Sequence, residues 1–186
     1  YVGTNAQLSG FTLASGGTSS TGGYFDEGHG AGAWLAPTAL VSNCIIRNCS
    51  AYVGGGGAYG GTIRNSTIAN NSAQYAEGGG GYGATFIDCT IVSNATQNLS
   101  SSGTGGGVSA SVLHGCTLAW NRAGSASLQW GGGAANSQLF GCTLRTNVAE
   151  SGGATYDCSF VVMDCTSATV FSFQESAATW CPALFL

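Results

Sequence analysis

Five of the eight cysteines stand at one point of a repeat, Cys44, Cys89, Cys116, Cys142 and Cys165, and a recurrent thiol admits four kinds of chemistry. It is a soft-metal ligand, half of a disulfide, a nucleophile, or a small apolar residue in a wall. A thiolate metal site wants CxxC pairs or histidine in the same column, and neither occurs. A nucleophile needs a base within reach, and the two histidines, His29 and His114, fall in an insertion and at an outward position. Neighbours in a parallel stack hold their Cβ atoms side by side at nearly 5 Å, wider than the roughly 3.5–4.5 Å of a disulfide. The expectation is therefore a ladder of buried free thiols, Cys89, Cys116, Cys142 and Cys165, with Cys44 set apart from it by Ser66. Cys49, Cys158 and Cys181 lie off this column. A Cys158–Cys181 disulfide would pin the C-terminal tail, the alternative being that all three are free.

The carboxylates are as sparse. Sugar-cleaving chemistry needs two acids converging on one bond, and eight are present in all. Glu77 and Glu150 stand three coils apart, roughly 14 Å in a stacked structure, too far to work as a pair. The segment YFDEGHG, residues 24–30, brings together Asp26, Glu27 and His29 and offers a metal or sugar contact, against the plainer reading of a solvated loop. No cofactor and no metal is implied. Charged residues make up 6% of the chain, against about 25% in an ordinary soluble protein. Four Lys plus Arg argue against nucleic-acid binding, and no apolar run nears the roughly 18 residues of a membrane span. The chain starts at Tyr1 without an initiator Met or signal peptide, as a mature chain or an excerpt would. Its Gly, Ser, Thr and Asn content places it outside the cell.

These residues are positioned by a repeat. LHGCTLAWN at 113–121 returns as LFGCTLRTN at 139–147, and anchors at Phe11, Cys44, Ser66, Cys89, Cys116, Cys142 and Cys165 align the rest. Two residues on stands an aliphatic (Leu13, Ile46, Ile68, Ile91, Leu118, Leu144), with Thr mostly between, so the triplet reads in, out, in. A second apolar column, Leu8 to Val162, lies three before the anchor. Gly, Asn or Asp just before the anchor marks a bend. Asn71, Asn94, Asn121 and Asn147, five after it, are suited to an internal amide ladder; Asn48, Asn65, Asn70, Asn94 and Asn98 also fit the glycosylation pattern. Glycine triplets at 55–57, 78–80, 105–107 and 131–133 indicate close backbone approach rather than a phosphate cradle, since no Lys follows them.

The pattern predicts an all-β, right-handed parallel β-helix of about seven coils of 22–27 residues. It spans residues 1–166, with a loop insertion near 17–30. Residues 167–186 form a non-repeat tail that caps the solenoid or contacts another subunit. Length varies only between the Asn corner and the glycines, a face suited to ligands, where Tyr75, Gln97, Gln129 and Trp130 stand. GGGA at 55–58 and 131–134, GGGV at 105–108, GGA at 152–154, and IANN, IVSN, LAWN and LRTN together resemble the passenger repeats of polymorphic outer-membrane proteins and related bacterial adhesins. The resemblance implies a secreted or surface-displayed structural or adhesive solenoid. Two functions are carried forward: a noncatalytic extracellular protein, self-assembling through its ends or binding a carbohydrate or surface ligand, and a polysaccharide lyase or hydrolase using the 24–30 loop.

Overall fold

Two or three residues of strand, then one residue that turns the chain: this is the unit from which the wall is built. The computed structural model describes residues 1–19, 28–75, 77–97, 103–124, 129–163 and 171–172. One coil contains the strands Ala58–Tyr59, Thr62–Arg64, Thr67–Ala69 and Ser72–Ala73. Each pairs in parallel with the equivalent segments of the coils on either side, for example Ile63 between Val41 and Phe86, and Ile68 between Ile46 and Ile91. The result is a parallel β-solenoid with no helix among the described residues. Two of its faces are sheets of six strands; the other two join where Gln138–Arg145 runs through a corner as one strand.

The coil count falls short of the seven expected. After Gln138↔Ser159 and Leu139↔Phe160 the register shifts, so that Phe140 faces Val162 and Cys142 faces Met163, two residues before Cys165. Cys142 therefore does not pair with Cys165 as the anchor spacing implied, and Cys165 itself lies outside the described residues. The proposed division at residue 166 lies there too. The slip is confined to this face, since Val148 and Ala149 still pair in register with Phe171 and Ser172 one coil on.

Most corners are made by a left-handed residue. The column before the anchor behaves as expected: Gly10, Asn43, Asn65, Asp88, Gly115 and Gly141 all have positive φ. Two further columns do the same, Ser15, Asn48, Asn70, Ser93, Trp120 and Thr146 ahead of the Asn ladder, and Gly60, Gly83, Ala110, Asn136 and Asp157 after the glycine-run strand. An L side chain pays roughly 1–2 kcal/mol to sit there. Ala110→Gly at this exposed corner should thus raise stability by about 0.5–1 kcal/mol in denaturant melts, after allowing for the added freedom of glycine in the unfolded chain. Ala69→Gly, in an ordinary strand, should lower it by a similar amount.

The interior has two lobes. In one, the columns Val41, Ile63, Phe86, Leu113, Leu139 and Ile46, Ile68, Ile91, Leu118, Leu144 are buried with the anchor cysteines between them. Volumes compensate within a coil. Phe86, the largest buried side chain, lies where a Cβ on Gly81 would collide with its ring, while Leu113 and Leu139 share their coils with Val108 and Ala134. In the other lobe the backbones touch. Gly56, Gly79, Gly106 and Gly132 lie directly against the main chain of Ser72, Ala95, Arg122 and Val148, with no room for a side chain. The glycine triplets thus pinch the coil, as their composition suggested.

Candidate functional site

The thiols are occupied by the corners. Each described cysteine donates its S–H to the carbonyl two residues earlier, across the left-handed residue: Cys44 to Ser42 (3.1 Å), Cys89 to Ile87 (3.3 Å), Cys116 to His114 (3.3 Å), Cys142 to Phe140 (3.5 Å), Cys49 to Arg47 (3.3 Å) and Cys158 to Tyr156 (3.3 Å). Ser66, Ser111 and Ser137 make the same bond with hydroxyls, at 2.7, 2.7 and 2.6 Å. The sulfur or oxygen also accepts the N–H of the preceding coil, as from Phe11 to Cys44 and from Cys44 to Ser66. This is why Ser interchanges with Cys in the column. Phe11 is the exception, 56% exposed where an inward residue was expected, because a phenyl ring does not fit a slot built for one γ atom.

Burial pushes the Cys49 thiol up, and the Cys158 thiol up to about 11. Hydrogen bonds to Cys142 and Cys89, with burial, hold Cys116 protonated. The neighbouring Cys116 thiol draws Cys142 downward, yet Cys142 is fully buried, with no substrate path to it. No cluster of three or more metal-ligating side chains occurs among the described residues. Cys116→Val should cost about 1–3 kcal/mol in chemical denaturation, because it leaves the Cys89 N–H without its acceptor and removes the S–H bond to the His114 carbonyl, which keeps only the Asp88 N–H. Cys116→Ser, which keeps both bonds, should stay within about 1 kcal/mol of the parent. A greasy-wall account predicts the reverse order.

Asn71, Asn94, Asn121 and Asn147 form the expected ladder. Nδ2 of Asn71 donates to Oδ1 of Asn94 (3.0 Å), Asn94 to Asn121 (3.1 Å), and Asn121 to Asn147 (3.0 Å). Each Oδ1 also accepts the backbone N–H of the residue one coil earlier. Cys49 is not a stray thiol: it occupies the next place in this column and gives its N–H to Oδ1 of Asn71 (3.0 Å). Both hydrogens of the Asn94 amide are donated, and the residue is 1% exposed, so the folded chain cannot carry a glycan there. Asn48, Asn65 and Asn70 are exposed; Asn98 lies outside the described residues.

The residues expected to bind a ligand do not converge. Tyr75 packs on Tyr52, ring centroids 4.5 Å apart, and Gln97 is exposed. Gln129, expected on the surface, is 2% exposed, because its strand pairs with Gly103–Thr104 and its amide wedges against Gly124 without a hydrogen-bond partner. Trp130 stacks on Tyr156 at 5.4 Å. Asp26 and Glu27 lie outside the described residues. His29 joins a different group, its ring 4.6 Å from Tyr59 and 6.1 Å from Tyr82. Cys158 is described, but its proposed partner Cys181 is not.

That group is an aromatic stripe. Trp34, Tyr59 and Tyr82 are outward neighbours in successive strands of one face, and Tyr1 extends the line. Centroids run 5.0 Å from Tyr1 to Trp34, 6.5 Å to Tyr59 and 5.7 Å to Tyr82. Tyr59 and Tyr82 stack at 13°, so they cover each other, whereas Trp34 is tilted about 50° from both neighbours and is 38% exposed. Beside it opens a groove of about 550 Å³. The segment from Leu35 to Thr38 bulges at the corner and is held by Ala36 N–H to Val2 O (2.9 Å) and by Asn5 N–H to Thr38 Oγ1 (2.9 Å). The next coil turns the same corner with bare Gly60 and Gly61, both left-handed. A step of bulge over glycine leaves the hollow, which Thr62 and Thr85 also line.

The sequence signal for this site was the residue after each glycine run, GAGAW, GGGAY and GGGGY at 30–34, 55–59 and 78–82. Aligned on glycine rather than cysteine, it lines up the aromatics. No family model, curated protein or solved structure matches the chain.

Proposed function

We propose that this chain is a noncatalytic extracellular solenoid with an adhesive role, a rigid rod that presents one aromatic face. The observation that carries this reading is how the reactive side chains are used. Buried Cys, Ser and Asn are bound to the backbone of their own and neighbouring coils, while Tyr1, Trp34, Tyr59 and Tyr82 line one face. The motif likeness to passenger repeats of polymorphic outer-membrane proteins points the same way. End-to-end assembly is part of the proposal: Gln7–Ser9 and Thr12–Ala14 pair on one side only, leaving an open edge.

The purified chain should be retained on cell or polysaccharide surfaces and should release no products from a polysaccharide panel. Cleavage that disappears in Asp26→Ala and Glu27→Ala would install the enzyme reading in its place. Electron microscopy of the same sample reads assembly directly.

A further inference from the structure

We propose that the groove beside Trp34 is a binding site for a neutral glycan segment. This inference rests on the adhesive reading and names its ligand class. Three properties of the groove carry it. Among the described residues its walls contain no charged side chain: they are aromatic rings, glycine backbone, Leu35, Ala36, Pro37 and threonines. A site that recognised phosphate, sulfate or uronate would be built with Lys, Arg or His, and none of these is among the described residues that line the groove. Its volume of about 550 Å³ lies within the roughly 300–1,000 Å³ typical of small-ligand sites.

The second property is the pairing of surfaces. A pyranose ring has an apolar C–H face and a rim of hydroxyls. Trp34 offers a partly uncovered aromatic face, and its tilt keeps that face from being lost to the stack. Thr62 and Thr85, half-buried in their strands and paired one coil apart, also line the groove. A groove lined by both aromatic residues and neutral threonines fits a sugar better than a lipid or a peptide side chain.

The third is preorganisation. The bulge is tied to residues 1–6 by backbone bonds, including Leu40 N–H to Ala6 O (3.0 Å) and Val2 N–H to Trp34 O (2.8 Å). Binding then costs little ordering of the protein. The groove also continues past Gly83, where an added Cβ would meet nothing within 4 Å. Gly83 shares its corner column with Asn136, which has φ +48. Gly83→Asn therefore suits the backbone while placing an amide in the groove.

Titration calorimetry should compare neutral oligosaccharides cut from β-glucan, xylan, mannan and galactan with oligouronates. The variants are Trp34→Ala, Gly83→Asn and, as a control on another face, Trp120→Ala, all checked by thermal melts. Neutral oligosaccharides from at least one source should bind, with affinity unchanged between low and roughly 0.5 M salt. Trp34→Ala and Gly83→Asn should each weaken binding about tenfold or more, and Trp120→Ala should not. Preference for oligouronates, or affinity that falls with salt, overturns the neutral-glycan assignment. Binding untouched by both groove variants overturns the groove. If no oligosaccharide binds while the chain still adheres to cell surfaces, this inference fails alone; if adherence is also absent, the adhesive reading falls with it.

Discussion

Asn121→Ala should destabilise the solenoid by about 4 kcal/mol or more, a large part of the roughly 5–15 kcal/mol that holds a domain together. The side chain makes four hydrogen bonds in a place water does not reach. Its Oδ1 accepts from the Asn94 N–H (3.0 Å) and the Asn94 Nδ2 (3.1 Å), and its Nδ2 donates to the Ile91 carbonyl (2.9 Å) and to Asn147 Oδ1 (3.0 Å). Truncation orphans the Asn94 N–H and one amide hydrogen of Asn94, each costing about 1–3 kcal/mol, and takes from the Ile91 carbonyl one of its two donors, the other being in the ladder with the next coil. Equilibrium unfolding in urea measures the loss. Asn121→Asp refines the test. It keeps the shape but sets a carboxylate against two acceptors, so the folded state should favour the protonated acid and raise its pKa. Folding then binds a proton, and stability should fall as pH rises above roughly 3.9, the unfolded value, until the folded pKa is passed. A flat profile for that variant would mean that the ladder is open to water.

A still larger effect is expected from one methyl group in the pinched lobe. In Gly106→Ala the new Cβ would overlap the Arg122 carbonyl group and lie 2.6 Å from the Gly132 oxygen. Both obstacles are main chain, held in the stack of coils, so neither swings aside as a side chain would. The cost should exceed about 5 kcal/mol, in the range where single substitutions prevent folding. Soluble yield and circular dichroism will show it. Gly83→Ala is the comparison: its site is open, so the cost reduces to that of a left-handed alanine less the freedom glycine loses on folding, about 0.5–1 kcal/mol. Equal outcomes for the two glycines would show that close backbone approach is not what the triplets provide.

How far the sequence could be read depended on which interaction writes the pattern. Stacking in register repeats a residue type at each coil, so the Asn ladder, the Ile and Leu columns and the bend before the anchor were all visible as columns. The reason for cysteine was not. Its role depends on a bond across a left-handed residue, and that appeared only when Ser111, Ser137 and Cys158 were seen making the same bond at another corner. Gln129 was misread because variable length was taken as exposure, whereas its strand pairs with a neighbour and turns inward. The groove escaped notice for a related reason. It is made by a difference between consecutive coils, a bulge at Leu35 to Thr38 above Gly60 and Gly61, and alignment by repeat discards such differences.

The single-residue corners have a further consequence. With strands of two or three residues and one left-handed residue at each turn, equivalent corner positions lie one above another at the spacing of neighbouring strands, about 4.8 Å. The wall is thus graduated like a ruler. Gly60, Gly83, Ala110, Asn136 and Asp157 already mark five consecutive divisions with five different demands on space and polarity. Groups mounted there would form a straight row at molecular pitch, and a polymer with a matching repeat would meet them in phase.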